Sequence, residues 1–307
     1  MAYPDRIVEG KVVVVTGAGG GIGRAIARLM AEQGAKVVVN DLGTAVDGSG
    51  RNAGLAEQVA QEIRAAGGTA VANADTVASW NGAQRIIETA LDAFGRVDCV
   101  VNNAAVLRDT IFHKMTCEDW ELSIAVNLNG SFYVSRAAAP HFRSQQSGAF
   151  VHISSTSGLV GAMGQANYAA SKIGLVGLSK SIAVDMQRFN VRSNVIAPTA
   201  FTRMTESIAT ATPEQQERAR QREHVPAEKN APLVVFLASD TAKEVTGQVF
   251  YSRKNEVIMF SQMRPCQRIH SSEGWTPQSI AEHMLPAFKT SFYPLDLARN
   301  VFPSWLP

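Results

Sequence analysis

The chain has 307 residues, of which 46% are apolar and 18% charged, and its formal net charge is +2. That length supports one large core, or one domain with an appendage. A charge so near zero supplies no field to hold nucleic acid or an anionic membrane, and three scattered cysteines without a C-x-x-C give no basis for a disulfide framework or a zinc site.

In chain order, short β-branched runs alternate with helical patterns. Val12–Thr16 reads as a buried strand, and Ile22–Gln33 as a helix stopped by Gly34. Lys36–Asn40 is a second strand, Leu55–Ala66 a helix closed by Gly67–Gly68, and Thr69–Asn73 a third strand. The helix Ala83–Phe94 ends at Gly95, and Val97–Asn102 is a fourth strand. A helix over Cys117–Ser144, a strand over Ala149–Ser154, a long helix over Tyr168–Phe189 and a strand over Val191–Ile196 continue the series. A helix over Ala231–Leu237 then leads to a strand near Gln248–Tyr251. Such alternation means βαβ units with right-handed crossovers. The fold class is therefore α/β: a doubly wound parallel sheet of Rossmann type, a single domain with a C-terminal extension.

Residues 1–252 form the dinucleotide-binding catalytic domain in this reading, and the proline-bearing stretch 253–307 is an extension packed on it. The helix Tyr168–Phe189 is apolar on several sides, which predicts burial all round and an oligomer that supplies part of it. Thr199–Asn230 is less regular and reads as a lid over substrate. The N-terminal ten residues lack the apolar core of a signal peptide, and no apolar run reaches the roughly 18 residues of a membrane span; a cytoplasmic protein is expected.

The cofactor end comes first in the sequence. T-G-A-G-G-G-I-G at Thr16–Gly23 follows a strand and opens a helix, so Gly17, Gly21, Ile22 and Gly23 can bring backbone N–H groups to a pyrophosphate. Asp41 ends the second strand, 24 residues after Gly17. A carboxylate there can hold both ribose hydroxyls of NAD and would repel the 2′-phosphate of NADP. Alone it reads equally as a turn aspartate; the glycine loop upstream decides for the cofactor, and for NAD. Asp75, after the third strand, can receive an adenine amino group or serve as a helix cap.

The catalytic end follows. Tyr168 and Lys172, in Y-A-A-S-K, share one helix face. A nearby ammonium, together with the cationic nicotinamide, favours the phenolate and predicts a lowered tyrosine pKa, fitting Tyr168 to exchange a proton with an alcohol as hydride moves. Ser155, thirteen residues earlier at a strand end, can polarise the substrate oxygen, and Asn127 can fix a water beside Lys172. A lone Y-x-x-x-K carries little weight; Asn, Ser, Tyr and Lys in this order behind a glycine loop carry much more.

Across about residues 8–250 these features resemble the short-chain dehydrogenase/reductase family. The resemblance rests on the glycine loop, Asp41, N-N-A-A at Asn102–Ala105, Asn127, Ser155, Tyr168 and Lys172. It implies an NAD-dependent oxidoreductase in which Asn102 and Ala104 line the cofactor cleft and Lys172 binds the nicotinamide ribose. It also implies contacts to the nicotinamide from Pro198 and Thr202, with Thr205 as the alternative threonine, and a homotetramer or homodimer. The stretches V-N-D-L-G, G-Q-A-N-Y and I-A-P-T-A-F-T-R-M-T, with the insertion Thr44–Asn52, are similar to the dehydrogenase part of peroxisomal multifunctional enzymes, implying a 3-hydroxyacyl-CoA substrate. A hydroxysteroid or other bulky lipophilic alcohol is the alternative. A non-catalytic NAD-binding protein ranks below both, because all four catalytic positions are intact. The sequence departs from the family where N-N-A-G becomes N-N-A-A, Pro-Gly becomes Pro198-Thr199, and V-D-G-G gives way to Tyr251–Lys254.

Other signals are weaker. Six histidines are scattered without ligand spacing, so no metal is expected, and His152 reads as a core residue. Arg203, Arg218, Arg220, Arg222 and Lys229 are balanced by five acids in the same stretch and read as a solvated face before a CoA phosphate grip.

Overall fold

The computed structural model describes residues 5–200 and 225–302. Eight strands form one sheet in the order β3-β2-β1-β4-β5-β6-β7-β8. They are β1 (Val12–Thr16), β2 (Lys36–Asn40), β3 (Thr69–Asn73), β4 (Cys99–Asn102), β5 (Gly148–Ile153), β6 (Val191–Thr199), β7 (Val249–Arg253) and β8 (Glu256–Met259). Every pair is parallel except β7 with β8, where Arg253 faces Glu256 across a tight reversal. The order reverses between β1 and β4, and a doubly wound sheet opens its crevice at such a point.

The valine runs explain why the sheet is buried on both faces. Val13, Val15, Val37 and Val39 pack with Ile26 and Met30 of α1 (Gly21–Glu32), Ile63 of α2 (Gly54–Ala65) and, in the same cluster, Val234 and Leu237 of a later helix (Ala231–Ala238). Val12, Val14, Val38 and Val100 alternate to the opposite face. There they meet Ile86 and Ile87 of α3 (Trp80–Phe94). On this face too lie Val134, Ala138 and Phe142 of the helix over Gly130–Gln145. The period of two along each strand delivers one apolar set to each helical layer.

Most expected elements lie within a few residues of their places, and the differences have local causes. α3 begins at Trp80 because the Ser79 side chain caps it, accepting from the Gly82 amide at 3.2 Å. The predicted continuous helix over Cys117–Ser144 is three pieces: α4 (Cys117–Ser123), a π-helical segment (Ile124–Asn129) and α5 (Gly130–Gln145). After β5 come a short turn of helix, α6 (Thr156–Leu159), and the long α7 (Ala166–Met186). Burial of α7 all round is not what the single chain achieves: Val184 is 75% exposed.

The sheet runs on past residue 252, since β8 adds an antiparallel edge strand. α8 (Ala231–Ala238), α9 (Pro277–Phe288) and α10 (Ala298–Val301) complete the described α-helices. Phe302 packs on Tyr251 with ring centres 4.4 Å apart and meets Phe260 at 5.9 Å, and the Ala298 amide donates to the Gly161 carbonyl at 3.3 Å. The extension thus touches the segment between Ser155 and Tyr168. No described helix is long and apolar enough to cross a membrane.

Candidate active site

Most of the sequence-nominated groups that fall within the described residues sit at the carboxyl edge of the sheet because they follow a strand, and Asn127, Tyr168 and Lys172 reach the same edge from helical segments. The glycine turn follows β1, Asp41 β2, Asp75 β3, Asn102 and Ala104 end or follow β4, Ser155 follows β5, and Pro198 lies in the last turn of β6. Thr202, Thr205 and the arginines 203–222 lie outside the described residues.

In the glycine turn, Gly17 and Gly23 are explained by the protein's own packing. A Cβ at Gly23 would lie 2.2 Å from the Gly17 carbonyl oxygen, and one at Gly17 would lie 2.7 Å from the Ala104 Cα. Gly21 is different: it is exposed, has φ +51 and opens α1. That helix start has no side-chain cap and no acidic residue in its first turn. Its free N–H groups and positive dipole end therefore face outward, which fits a pyrophosphate. Ile22 packs its side chain partly on the core, leaving its backbone in the turn.

Asp41 closes the far side of this cradle. Its carboxylate accepts from the Gly19 amide and from the Gly43 amide, each at 2.7 Å, one on each oxygen. Each oxygen retains a second lone pair for a ribose hydroxyl. Asp75 is not a helix cap, since Ser79 does that work. Its carboxylate accepts from Asn73 at 2.9 Å and from Arg85 at 2.6 Å.

The second asparagine of N-N-A-A, not the first, braces the glycine turn. Asn103 Nδ2 donates to the Thr16 and Gly17 carbonyls at 2.9 and 3.0 Å, while Thr16 Oγ1 accepts from the Asn103 and Ala104 amides. Asn102 turns its side chain into the protein, donating to Ser135 Oγ at 2.9 Å beside His152 Nδ1 at 3.3 Å. Asn102 Oδ1 and His152 Nε2 are buried without a hydrogen-bond partner. Burial holds His152 neutral, with its pKa pushed down to about 3 and the Lys172 charge adding to the effect. That suits a core residue and not a base.

Ser155, Tyr168 and Lys172 come together. Ser155 opens α6, its Oγ accepting from the Ser157 amide at 3.1 Å. Gly158 in the same turn lies so close to α7 that a Cβ would meet the Ile173 amide nitrogen at 2.7 Å. The missing side chain lets the Ser155 segment lie on the helix that carries the other two groups. The Lys172 ammonium nitrogen stands 5.5 Å from the centre of the Tyr168 ring and donates to the Ile153 carbonyl at 2.8 Å.

The electrostatics correct one expectation. Tyr168 is not lowered: although part of its surface is open, burial around its hydroxyl pushes its pKa up to about 12. A hydrogen bond from Ser155 opposes that, and the Asp109 carboxylate reinforces it. The lysine cannot reverse the sign because burial depresses it as well, to about 7, leaving only part of a charge near neutrality.

Asn127 lies in the π-helical segment, fully buried. Its Oδ1 accepts from the Val106 amide at 2.8 Å, and its Nδ2 reaches the Val106 carbonyl, Ser123 Oγ and Ser171 Oγ at 3.1–3.2 Å. Ser171 in turn donates to the Tyr168 carbonyl at 2.7 Å. The described contacts therefore tie Asn127 to the backbone of the tyrosine. Thr16, Asn103, Ser171 and Gly158 are functional positions that sequence reasoning missed. Thr16, Asn103 and Ser171 lie inside motifs quoted for other residues, and Gly158 does not.

Residues 11–215 match the family model described as short chain dehydrogenase. A short-chain type dehydrogenase/reductase of Mycobacterium tuberculosis is 49% identical over 233 residues, covering 76% of this chain and 79% of that protein. The mouse peroxisomal multifunctional enzyme type 2 is 46% identical over 247 residues, 80% of this chain but only 32% of the mouse protein's length. A hydroxyacyl-CoA dehydrogenase of M. tuberculosis is 37% identical and aligned over 95% of both chains. The crystal structure of a short chain dehydrogenase from Mycobacterium avium superposes with a TM-score of 0.83 at 38% identity, covering 95% of this chain and 99% of that one.

Proposed function

The chain belongs to the short-chain dehydrogenase family and is an oxidoreductase; on that premise we propose that it is an NAD-dependent secondary-alcohol dehydrogenase acting on a 3-hydroxyacyl-CoA thioester. The observation that carries the reading is the meeting of two half-sites at one sheet edge. The uncapped start of α1 with Asp41 beside it lies on one side of the switch point, and Ser155, Tyr168 and Lys172, brought together where α6 lies on α7, are on the other.

In this reading the α1 amides and Gly21 hold the pyrophosphate, Asp41 holds the adenosine ribose, and Asp75 lies nearest the adenine. Ala104 and Pro198 line the cleft, with Asn102 packed behind it and Lys172 on the second ribose. A nicotinamide bound there supplies the hydride acceptor and a positive charge when oxidised. Ser155 holds the substrate oxygen, and Tyr168 exchanges the proton at that oxygen. Because the phenol is held protonated, the site is set as an acid toward a ketone. In the alcohol-oxidising direction its proton has to leave through the Lys172 neighbourhood. Asn127 supports that exit by holding Ser171 and, with it, the Tyr168 backbone.

The NAD preference rests on the Asp41 charge, which faces any 2′-phosphate with no basic residue in the glycine turn to offset it. The thioester rests on the hydroxyacyl-CoA dehydrogenase matched across 95% of both chains. Val184 on α7 and Phe132 on α5, 75% and 45% exposed, support a homodimer or homotetramer joined through these helices. A cytoplasmic location completes the reading.

The test is NADH formation with 3-hydroxyacyl-CoAs of several lengths, the matching free acids, hydroxysteroids and aryl alcohols, each with NAD and NADP. Turnover that needs both CoA and NAD is the expected result. Steroid turnover with inert CoA esters would overturn the thioester while leaving the catalytic assignment in place.

A further inference from the structure

The start of α7 has an unusual support. Its N-cap residue, Gln165, offers no side-chain hydrogen bond to the helix. The job falls to Asn167, inside the first turn and fully buried. Asn167 Oδ1 accepts from the Tyr168 amide at 2.7 Å, one of the donors that a helix start leaves without a partner. Asn167 Nδ2 spends both hydrogens on one neighbourhood: the Arg108 carbonyl at 3.0 Å and the Asp119 carbonyl at 3.1 Å.

Those two residues also meet through their side chains, Arg108 Nη1 lying 3.1 Å from Asp119 Oδ1. Arg108 then reaches in a third direction, its Nε donating to the Asp47 carbonyl at 2.8 Å. Asp47 belongs to the segment Thr44–Asn52, which starts just after the Gly43 amide that holds Asp41. The neighbouring Leu107 amide donates to the Val46 carbonyl at 2.9 Å, and Gly48 lies against Leu122 and Val106. One arginine thus joins three parts of the chain: the segment after the ribose-side carboxylate, the start of α4, and the residue that holds the tyrosine amide.

We infer that Arg108 is a positioning residue for Tyr168, setting the tyrosine through Asn167 and tying it to the Thr44–Asn52 segment beside Asp41. The inference rests on the reading of Tyr168 as the proton-exchanging group. The Tyr168 carbonyl is separately held by Ser171 and Asn127. Its peptide is therefore gripped from both ends, and Arg108 governs the amide end. Proton exchange depends on placement to about half an ångström, so loosening this grip acts on the chemical step and leaves cofactor binding in place.

The experiment compares wild type with Arg108→Ala, Arg108→Lys, Asp119→Asn and Asn167→Ala. It measures kcat and KM for the best alcohol, NADH affinity by fluorescence, thermal midpoint, and ultraviolet titration of Tyr168 referenced to Tyr168→Phe. Arg108→Ala is expected to lower kcat by about 10- to 100-fold while NADH affinity stays within about threefold. Arg108→Lys regains part of the loss, because an ammonium can still reach one of the two acceptors. Asp119→Asn loses less than Arg108→Ala, because it removes the ion pair but keeps the Arg108 bond to the Asp47 carbonyl. The Arg108→Ala/Asn167→Ala pair loses no more than about the worse single variant.

A lowered thermal midpoint with kcat unchanged would make Arg108 a structural brace and overturn the inference. If wild type turns over no alcohol, the dehydrogenase reading fails instead. The Tyr168 titration then decides: an unaltered curve in folded Arg108→Ala or Arg108→Lys protein overturns the positioning role, and an altered one upholds it.

Discussion

Replacing Lys172 with Met should stabilise the folded protein at neutral pH and destabilise it at alkaline pH, while abolishing turnover. The lysine is 2% exposed, and its pKa falls from 10.5 to about 7 through burial. Between those two values the unfolded chain binds the proton and the folded chain does not, so wild-type stability rises with pH across the window. At about 1.4 kcal/mol per pH unit, the ammonium costs the native state about 4 kcal/mol at pH 7 and about 1 kcal/mol at pH 10. Methionine avoids that cost but leaves the Ile153 carbonyl, now an acceptor at 2.8 Å, without its donor. That loss is worth about 2 kcal/mol at either pH. The net is a gain of about 2 kcal/mol at pH 7 and a loss of about 1 kcal/mol at pH 10. Guanidinium unfolding of both proteins without cofactor, at the two pH values, gives the difference directly, since other titrating groups cancel. A variant destabilised equally at both pH values would refute the reasoning, because it would mean that the fold does not depress Lys172.

Asp41→Asn keeps the size of the side chain and one of the two oxygens that accept the Gly19 and Gly43 amides while removing the charge; the ratio of kcat/KM for NADP over NAD should rise at least about tenfold, and an unchanged ratio would take discrimination away from this residue. Gly158→Ala puts a Cβ 2.7 Å from the Ile173 amide nitrogen and 3.0 Å from Lys172, so it should cost about 1–3 kcal/mol and reduce kcat by shifting Ser155 off α7, as thermal melts and kinetics would show. His152 has a folded pKa of about 3 against an ordinary 6.5. The unfolded chain therefore takes the proton first as pH falls, and His152→Phe should lose about 2 kcal/mol less than wild type between pH 7 and pH 5 in unfolding titrations. Equal losses in the two proteins would contradict a neutral buried imidazole.

The layers of the fold were legible because they follow from periodicity. Val12–Val15 and Val37–Val39 are apolar at every position, as strands buried on both faces have to be, and helices separate them. Helix ends were less legible. Ser79 competes with nearby Thr76 and Asp75 as a start signal, and only the three-dimensional turn selects it. The π-helical segment was not legible, since I-A-V-N-L-N satisfies a 3.6-residue pattern as well as its neighbours do. β8 was hidden because Glu256–Met259 pairs at an edge whose hydrophobics stay largely exposed. In the site, residue identity gave away Tyr168, Lys172 and Ser155, whose chemistry is rare in combination. Asn103, Asn167, Ser171 and Arg108 carry no such signature, because they act through backbone groups that depend on where loops cross.

The places where local rules fail are gathered around Tyr168, and this argues for a site under functional constraint. A lysine is buried where its charge is costly, a histidine keeps an unpartnered nitrogen, and the helix before α7 widens into a π segment. Each feature lowers stability, and π segments recur where a helix has to present a group that regular geometry would turn away. Here the widened turn carries Asn127 to Ser171 and Val106 together, while Ser131 Oγ takes up the Asn127 carbonyl at 2.9 Å. A core selected for stability alone would replace Lys172 and His152 with apolar residues and regularise the helix. Retaining all of these departures within one shell follows if proton exchange at Tyr168 is what the shell is built to support.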